Sequence, residues 1–458
     1  MTRTVRFSLS IVTVAIGFSL AVRADAPYVY AIKGARLVTV SGAPIPSGTI
    51  VVRNGVIDAV GADVQAPPDA VVIDGAGSTV YPGLIDMGTS AGLDINLVTE
   101  QPSSVRTFDD AERWKRDLVL RSDVMAADHI NGDAAELNKL AAAGITTALS
   151  TPPGVLFAGH SALVNVVTPA DSPIVGAIAE PRKGVAVLKS PVALHVKFQV
   201  PRGDGYPVSL LGAIALVRQT FIDADYQHTL EARYAKSPAS SARPSSDTAL
   251  DAIYGTLGGR PPSGAREPVA FEANLAREIV RALDMAKEFK LTPIITGGQE
   301  ADLAAADLKA AGAAVIVNLD YPTRPKSLSP DADEPVRELR LRAHVPRVPA
   351  GLEKAGVQFA FSSSGLTNAS DFVKNAARAV KEGLTSEAAI RALTLDAARI
   401  AGAADRLGSL EKGKIANIVM TEGDLFAEKT TVKVVLIDGR RVDLDATEAP
   451  RGRGRGGR

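Results

Sequence analysis

The chain has 458 residues, 46% of them apolar, 51 basic side chains against 51 acidic ones, and no cysteine. This length suits one large domain with a satellite, the apolar share allows a sizeable core, and the even charge gives no general attraction to nucleic acid. The missing cysteine excludes disulfides, thiolate zinc sites and a cysteine nucleophile.

The first element in chain order is an export address. Arg3 and Arg6 precede an apolar run, Phe7 to Val22, and Ala24-Asp25-Ala26 supplies the small residues that signal peptidase needs. The run is shorter than the roughly 20 residues that span a bilayer. Residues 1–26 are therefore expected to be a cleaved signal peptide, leaving no transmembrane span. The expected compartment is the periplasm of a two-membraned host. Removing Arg3, Arg6, Arg23 and Asp25 leaves 48 basic and 50 acidic residues, a net charge of −2.

From Tyr28 to about Val80 the pattern predicts short strands. GTIVVRNGVIDAVG places two apolar runs around Asn54-Gly55, a dipeptide suited to the positive φ of a tight hairpin. VVIDGAGSTV predicts another strand pair around a glycine turn. Gly408 to about Leu444 reads the same way, with NIVM as one strand and VKVVLIDGRRVDL as a hairpin at Asp438-Gly439. Neither piece has enough strands to stand alone. They are expected to join as a β-sandwich domain composed of residues 27–81 and 408–446.

Between them, strands alternate with helices. ELNKLAAAGITTALST runs from a helix into the strand Ile145 to Leu149. EANLAREIVRALDMAKEFK places Leu275, Ile279, Val280, Leu283 and Ala286 on one helical face. LTPIIT, AAVIVNL and GVQFAFSSS read as strands, and ADLAAADLKAAG and SDFVKNAARAVKEG as helices. Such βα units predict an α/β class fold with a parallel sheet. The 321 residues from Pro82 to Gly402 suffice for a TIM-like (β/α)8 barrel, which needs about 250. AKSPASSARPSS, Ala235 to Ser246, reads as a polar loop. The arginine- and glycine-rich end, residues 447–458, reads as a solvated cationic tail that cannot pack a core.

The chemistry-bearing motifs are few. The sequence contains no GxxxxGK[ST], HExxH or GxSxG. Its five histidines, His129, His160, His195, His228 and His344, show no i, i+2 or i, i+4 pair. His195 is expected near a strand end, His160 on a loop entering a strand, His129 before a helix, His228 after one and His344 in a basic loop. Ordinary structural roles are the first expectation for each.

Several fragments, in order, resemble the amidohydrolase superfamily, in particular its secreted imidazolonepropionase-like branch. GTIVVRNGVIDAVG followed by YPGLID resembles the amino-terminal hairpins and first barrel strand. AAAGITTALSTPPG resembles the family's "aGvTTv" turn. ALTLDAARIAG followed by LGSLEKGKIANIVM resembles its closing helix and return strand. The resemblance implies a barrel over residues 82–407 whose strand ends hold one or two divalent metals, zinc among them. The metal acidifies a water, an aspartate takes its proton, and the hydroxide attacks an amide or related carbonyl, whose carbon–nitrogen bond then breaks.

The residues at the matching positions depart from that scheme. Gly88 and Ser90 stand where the resemblance implies His-x-His. Glu272 and Gly297 stand where single histidines are implied after strands five and six, and Ser364 where the aspartate is implied. Glu300 matches a common companion. Lys189 and Lys197 both compete for the strand-four lysine. Glycine has no donor atom, and a serine hydroxyl is a poor ligand at neutral pH. No cofactor is therefore expected. Three readings stand: a metal-free homologue that forms a homo- or hetero-oligomer with an active relative; a hydrolase rearranged around Glu272, Glu300 and His195; and a barrel that binds a small amide or peptide. No specific nucleic-acid partner is expected.

Overall fold

The computed structural model describes residues 29–132, 135–168, 185–258, 265–329 and 331–444. The expected signal peptide and the arginine-rich tail lie outside the described residues. Among the described residues, no helix is long and apolar enough to cross a membrane.

The first five strands are β1 (Val29–Leu37), β2 (Ile45–Arg53), β3 (Val56–Gly61), β4 (Val71–Asp74) and β5 (Ser78–Pro82). Asn54 and Gly55 turn β2 into β3 with φ of 51° and 82°, which a left-handed two-residue turn requires. The predicted hairpin of β4 with β5 is not formed. Both strands instead pair with β1 in parallel, β4 beside Tyr30–Lys33 and β5 beside Arg36–Leu37. A glycine turn fixes the direction of the chain locally; the free edge of β1 decides what each strand pairs with.

Both ends of the chain contribute to one sheet. The carboxy-terminal strands are β16 (Ile418–Glu422), β17 (Thr431–Ile437) and β18 (Arg440–Arg441), and the sheet order is β18-β17-β16-β5-β1-β2-β3. The seam is β16 antiparallel to β5, from Ile418 opposite Pro82 to Glu422 opposite Ser78. Asp438 and Gly439 make the last hairpin with φ of 49° and 70°, as the sequence predicts.

The middle of the chain contains β6 (Leu84–Thr89), β7 (Ile145–Ser150), β8 (Phe157–His160), β9 (Ala162–Asn165), β10 (Val187–Lys189), β11 (Leu194–Lys197), β12 (Val269–Ala273), β13 (Pro293–Gly297), β14 (Ala314–Asn318) and β15 (Phe359–Ser362). Among the described residues the α-helices that accompany them are α1 (Phe108–Val119), α2 (Ala135–Ala142), α3 (Leu210–Lys236), α4 (Thr248–Leu257), α5 (Ala276–Phe289), α6 (Ala305–Ala311), α7 (Val336–His344), α8 (Val348–Ala355), α9 (Asp371–Lys381), α10 (Ser386–Leu393) and α11 (Leu395–Ile400). The predicted alternation is present from β12 onward. On α5, Ile279, Leu283 and Ala286 are buried, whereas Leu275 is the N-cap and Val280 is exposed. The polar segment after α3 runs outside regular elements until Asp247 caps α4.

Hydrogen bonding sorts these strands into two sheets, β10-β9-β7-β6 and β15-β14-β13-β12-β11-β8. From β11 to β15 every pairing is parallel, while β8 and β9 are antiparallel to their neighbours. Ser161 separates β8 from β9, and the chain sends one to each sheet. The two sheets share an interior. One cluster joins Ile85 and Met87 of β6, Leu149 of β7, Leu163 of β9 and Leu188 of β10 with Ala270 of β12, Ile294 of β13, Ile316 of β14 and Ala360 of β15. Both sheets therefore turn apolar side chains inward, and their strand ends face a common space.

Candidate functional site

A cleft of about 330 Å³ opens at the carboxyl ends of the central strands. Met87, Ala270 and Ile316 form its apolar floor. Gly88, Thr89 and Ser90 line it from β6, Thr151 from β7, and His195 and Lys197 from β11. Glu272 and Asn274 enter from β12, Thr296, Gly297 and Gln299 from β13, Asn318 and Asp320 from β14, and Ser362 and Ser364 from β15. Alternation explains the pairs: residues two apart on a strand share a face, so His195 with Lys197 both reach the cleft.

Gly88, Ser90, Glu272, Gly297 and Ser364, where the resemblance implies ligands and a base, all line this cleft. Of the two competing lysines, Lys197 is the one in the cleft, and its Nζ lies 2.9 Å from Glu272 Oε2. Lys189 points elsewhere and donates to the carbonyl of Ala401 at 2.9 Å. Glu300 does not join the cleft. Its carboxylate accepts from the Ala276 N–H at 3.0 Å, at the start of α5. That backbone group is an orphan donor of the helix end, so Glu300 has a structural role.

The remaining histidines have structural surroundings. His160 ends β8 rather than lying on a loop, and its Nδ1 is 2.5 Å from Glu267 Oε1. His129 closes a short 3₁₀ turn. His228 lies within α3, not after it, and stacks on Tyr254 at 3.4 Å between ring centres. His344 is the last residue of α7, with Nε2 3.0 Å from Asp302. His195 alone faces the cleft. It is 4% exposed, and its Nε2 has no hydrogen-bonding partner. Burial, reinforced by Lys197 and His160, pushes its pKa down to about 3, so the ring is neutral at neutral pH.

The floor of the cleft is held by a residue that the sequence reading left without a role. Asp86 is fully buried. Its Oδ1 accepts from the N–H of Ser363 at 2.8 Å and of Gly88 at 3.2 Å, and its Oδ2 accepts from Ser363 Oγ at 2.5 Å. These bonds tie β6 of one sheet to β15 of the other. Burial outweighs them and raises the carboxyl pKa to about 6. A raised acid favours the folded state when protonated, so this stabilisation is complete below pH 4 and is lost as pH rises through 6. The shift corresponds to about 3 kcal/mol. Asp86→Asn keeps the acceptor and loses the charge. It is expected to match the unmutated protein near pH 4 and to exceed its stability by about 3 kcal/mol at pH 7.5. Denaturant unfolding at both pH values checks this; equal destabilisation at both would contradict it.

The lining of the cleft is poorly suited to a metal. Among the described residues, no three histidine, aspartate or glutamate side chains gather as a metal-holding group. Moreover, neighbours have taken the space that ligands would need. A Cβ on Gly88 would lie 2.6 Å from Ser362 Oγ. That hydroxyl is not free to swing, since it donates to the Gly88 carbonyl at 2.9 Å and accepts from the Ser364 N–H at 3.1 Å. A Cβ on Gly297 would lie 2.5 Å from Asn274 Oδ1, and Gly297 has a φ of +95° that side chains rarely adopt. The one carboxylate at a family position, Glu272, is bound to Lys197. This donor set does not fit zinc or a similar cation.

Residues 279–442 match the model of the amidohydrolase family. An amidohydrolase from Thermotoga maritima MSB8 superposes with a TM-score of 0.70 at 22% identity, covering 90% of this chain and 99% of that one. A prolidase complexed with N-methylphosphonate-L-proline gives 0.54 at 19% identity over 90% and 99%. A Xaa-Pro dipeptidase with bound methionine gives 0.51 at 18% over 91% and 100%. No curated protein matches the sequence. At these identities the solved structures speak for the fold alone. The family-model match spans 164 of the 458 residues, so the chain is similar to the amidohydrolase family over that segment and to these structures in fold.

Proposed function

We propose that this chain is a metal-free, catalytically impaired member of the superfamily. In this reading its central segment, residues 82–407, is a (β/α)8 barrel beside a β-sandwich domain from the two ends of the chain. It is exported to the periplasm, where it assembles with an active relative. The observation that carries the reading is the closure of the ligand positions, by Ser362 at Gly88 and by Asn274 at Gly297. The chemistry of the remaining groups agrees with it. Family hydrolysis needs a metal-acidified water and a base. Ser364 offers a hydroxyl where that base is expected, and an imidazole held near pKa 3 takes up protons poorly at neutral pH.

The rearranged-site reading rests on one specific observation: two of its members, Glu272 and His195, do share the cleft. Its third member, Glu300, is engaged at the α5 terminus. Hydrolysis assays on simple dipeptides and cyclic amides, with and without added zinc, separate the two. The expected result is no rate above buffer under either condition. Turnover that disappears in Glu272→Ala or His195→Ala would replace the proposal with the rearranged enzyme.

A further inference from the structure

The cleft contains three side chains that carry formal charge: Lys197, Glu272 and Asp320. Lys197 and Glu272 neutralise each other at 2.9 Å. Asp320 has no ion-pair partner among the described residues. Its backbone N–H donates to Asn318 Oδ1 at 2.8 Å, which fixes the turn that presents it. Its carboxylate packs against bare backbone, since a Cβ on Gly365 would lie 2.6 Å from Asp320 Oδ2. The residue is exposed, its carboxylate resting on the Gly365 backbone, and desolvation there raises its pKa.

A second feature calls for a ligand independently. His195 Nε2 is buried, without a partner, on the wall opposite in strand order. Three strand steps, β11 to β14, separate the two walls in the sheet, roughly 14 Å along it at about 4.8 Å per step. A ligand that meets both walls is thus elongated. Lys197, beside His195, has three ammonium donors and gives one to Glu272. It can offer another to a carbonyl oxygen.

Building on the metal-free reading of the cleft, we propose that it binds a small, elongated organic monocation, with an ammonium at Asp320 and a hydrogen-bonding carbonyl group at the Lys197–His195 wall. The single uncompensated carboxylate then selects the charge of the ligand. Anionic ligands meet the uncompensated Asp320 with like charge and are disfavoured.

The test is calorimetric titration of the full mature protein in a chelator-containing buffer. The probes are ε-aminocaproamide, which has one ammonium and one amide, and caproamide, which lacks the charge. The cationic probe is expected to bind about tenfold more tightly, as a charge-assisted hydrogen bond provides. Asp320→Asn should abolish that preference and leave caproamide binding unchanged. Should the variant fold poorly, salt carries the test, because the preference should shrink as added salt screens the carboxylate. Equal binding of both probes, or a preference that survives Asp320→Asn and vanishes in Glu272→Gln, would overturn the proposal. Binding that appears only when zinc replaces the chelator would instead overturn the metal-free reading on which it rests.

Discussion

A chain that ends before Gly408 is expected to lose its amino-terminal strands as well. One hydrophobic cluster joins Ile32, Leu37, Ile50, Val52, Ile57 and Val80 from the first strands with Leu410, Ile418, Met420, Val434 and Leu436 from the last. Backbone bonds add to this contact: Ile57 N–H donates to Lys414 O at 2.9 Å, and Ala416 N–H to Gly55 O at 2.8 Å. Truncation also leaves the whole β5 edge unpaired. Burying one such apolar side chain contributes about 1.5–3 kcal/mol, so five of them amount to something on the order of 10 kcal/mol. That rivals the roughly 5–15 kcal/mol that holds a typical domain folded. Limited proteolysis around Ile50 to Val60 reads the outcome. Rapid cleavage there is expected, and native resistance in the truncated chain would contradict the shared core.

Restoring the histidines is expected to fail as a route to a metal site. Gly88→His with Ser90→His introduces the His-x-His pair that the resemblance implies, yet the first Cβ meets Ser362 Oγ at 2.6 Å. Moving Ser362 breaks its bonds to Gly88 and Ser364. Overpacking of this kind costs about 1–3 kcal/mol. The double variant should therefore unfold at lower denaturant than the unmutated protein and bind zinc no more than weakly. Two imidazoles would still face Gly297 and Ser364 where further donors are needed, and Glu272 would still be tied to Lys197. Tight, stoichiometric zinc in that variant, with stability intact, would show that the cleft had stayed open to metal.

What the sequence made legible follows the range of the interactions involved. The hairpins at Asn54-Gly55 and Asp438-Gly439 were readable because their turn chemistry is local. The convergence of Gly88, Ser90, Glu272, Gly297 and Ser364 was readable because flanking motifs set the register of their strands. The pairing of β4 and β5 was not, since both strands answer to the edge of β1. Glu300 was misread because its partner is a helix-terminal N–H that only the fold brings near. The choice between Lys189 and Lys197 needed the alignment of β11 on β12, which sets Lys197 beside Glu272. Asp86 and Asp320 were passed over for opposite reasons. Asp86 sits inside the YPGLID stretch that carries the resemblance, while its bonds to Ser363 join β6 to the end of β15, far apart in sequence. Asp320 lies two residues beyond the strand AAVIVNL began, and that strand-end position was the one signal available.

Whether this cleft holds a metal decides between an impaired protein and a working hydrolase. Elemental analysis of the purified mature protein, expressed with added zinc, nickel and manganese and then mildly dialysed, asks this directly. Substitutions one shell away from a metal already weaken binding by roughly 10- to 100-fold, and here the ligand positions themselves have changed. Each metal should be found far below one equivalent per chain. Close to one equivalent, lost on Glu272→Ala or His195→Ala, would contradict the account.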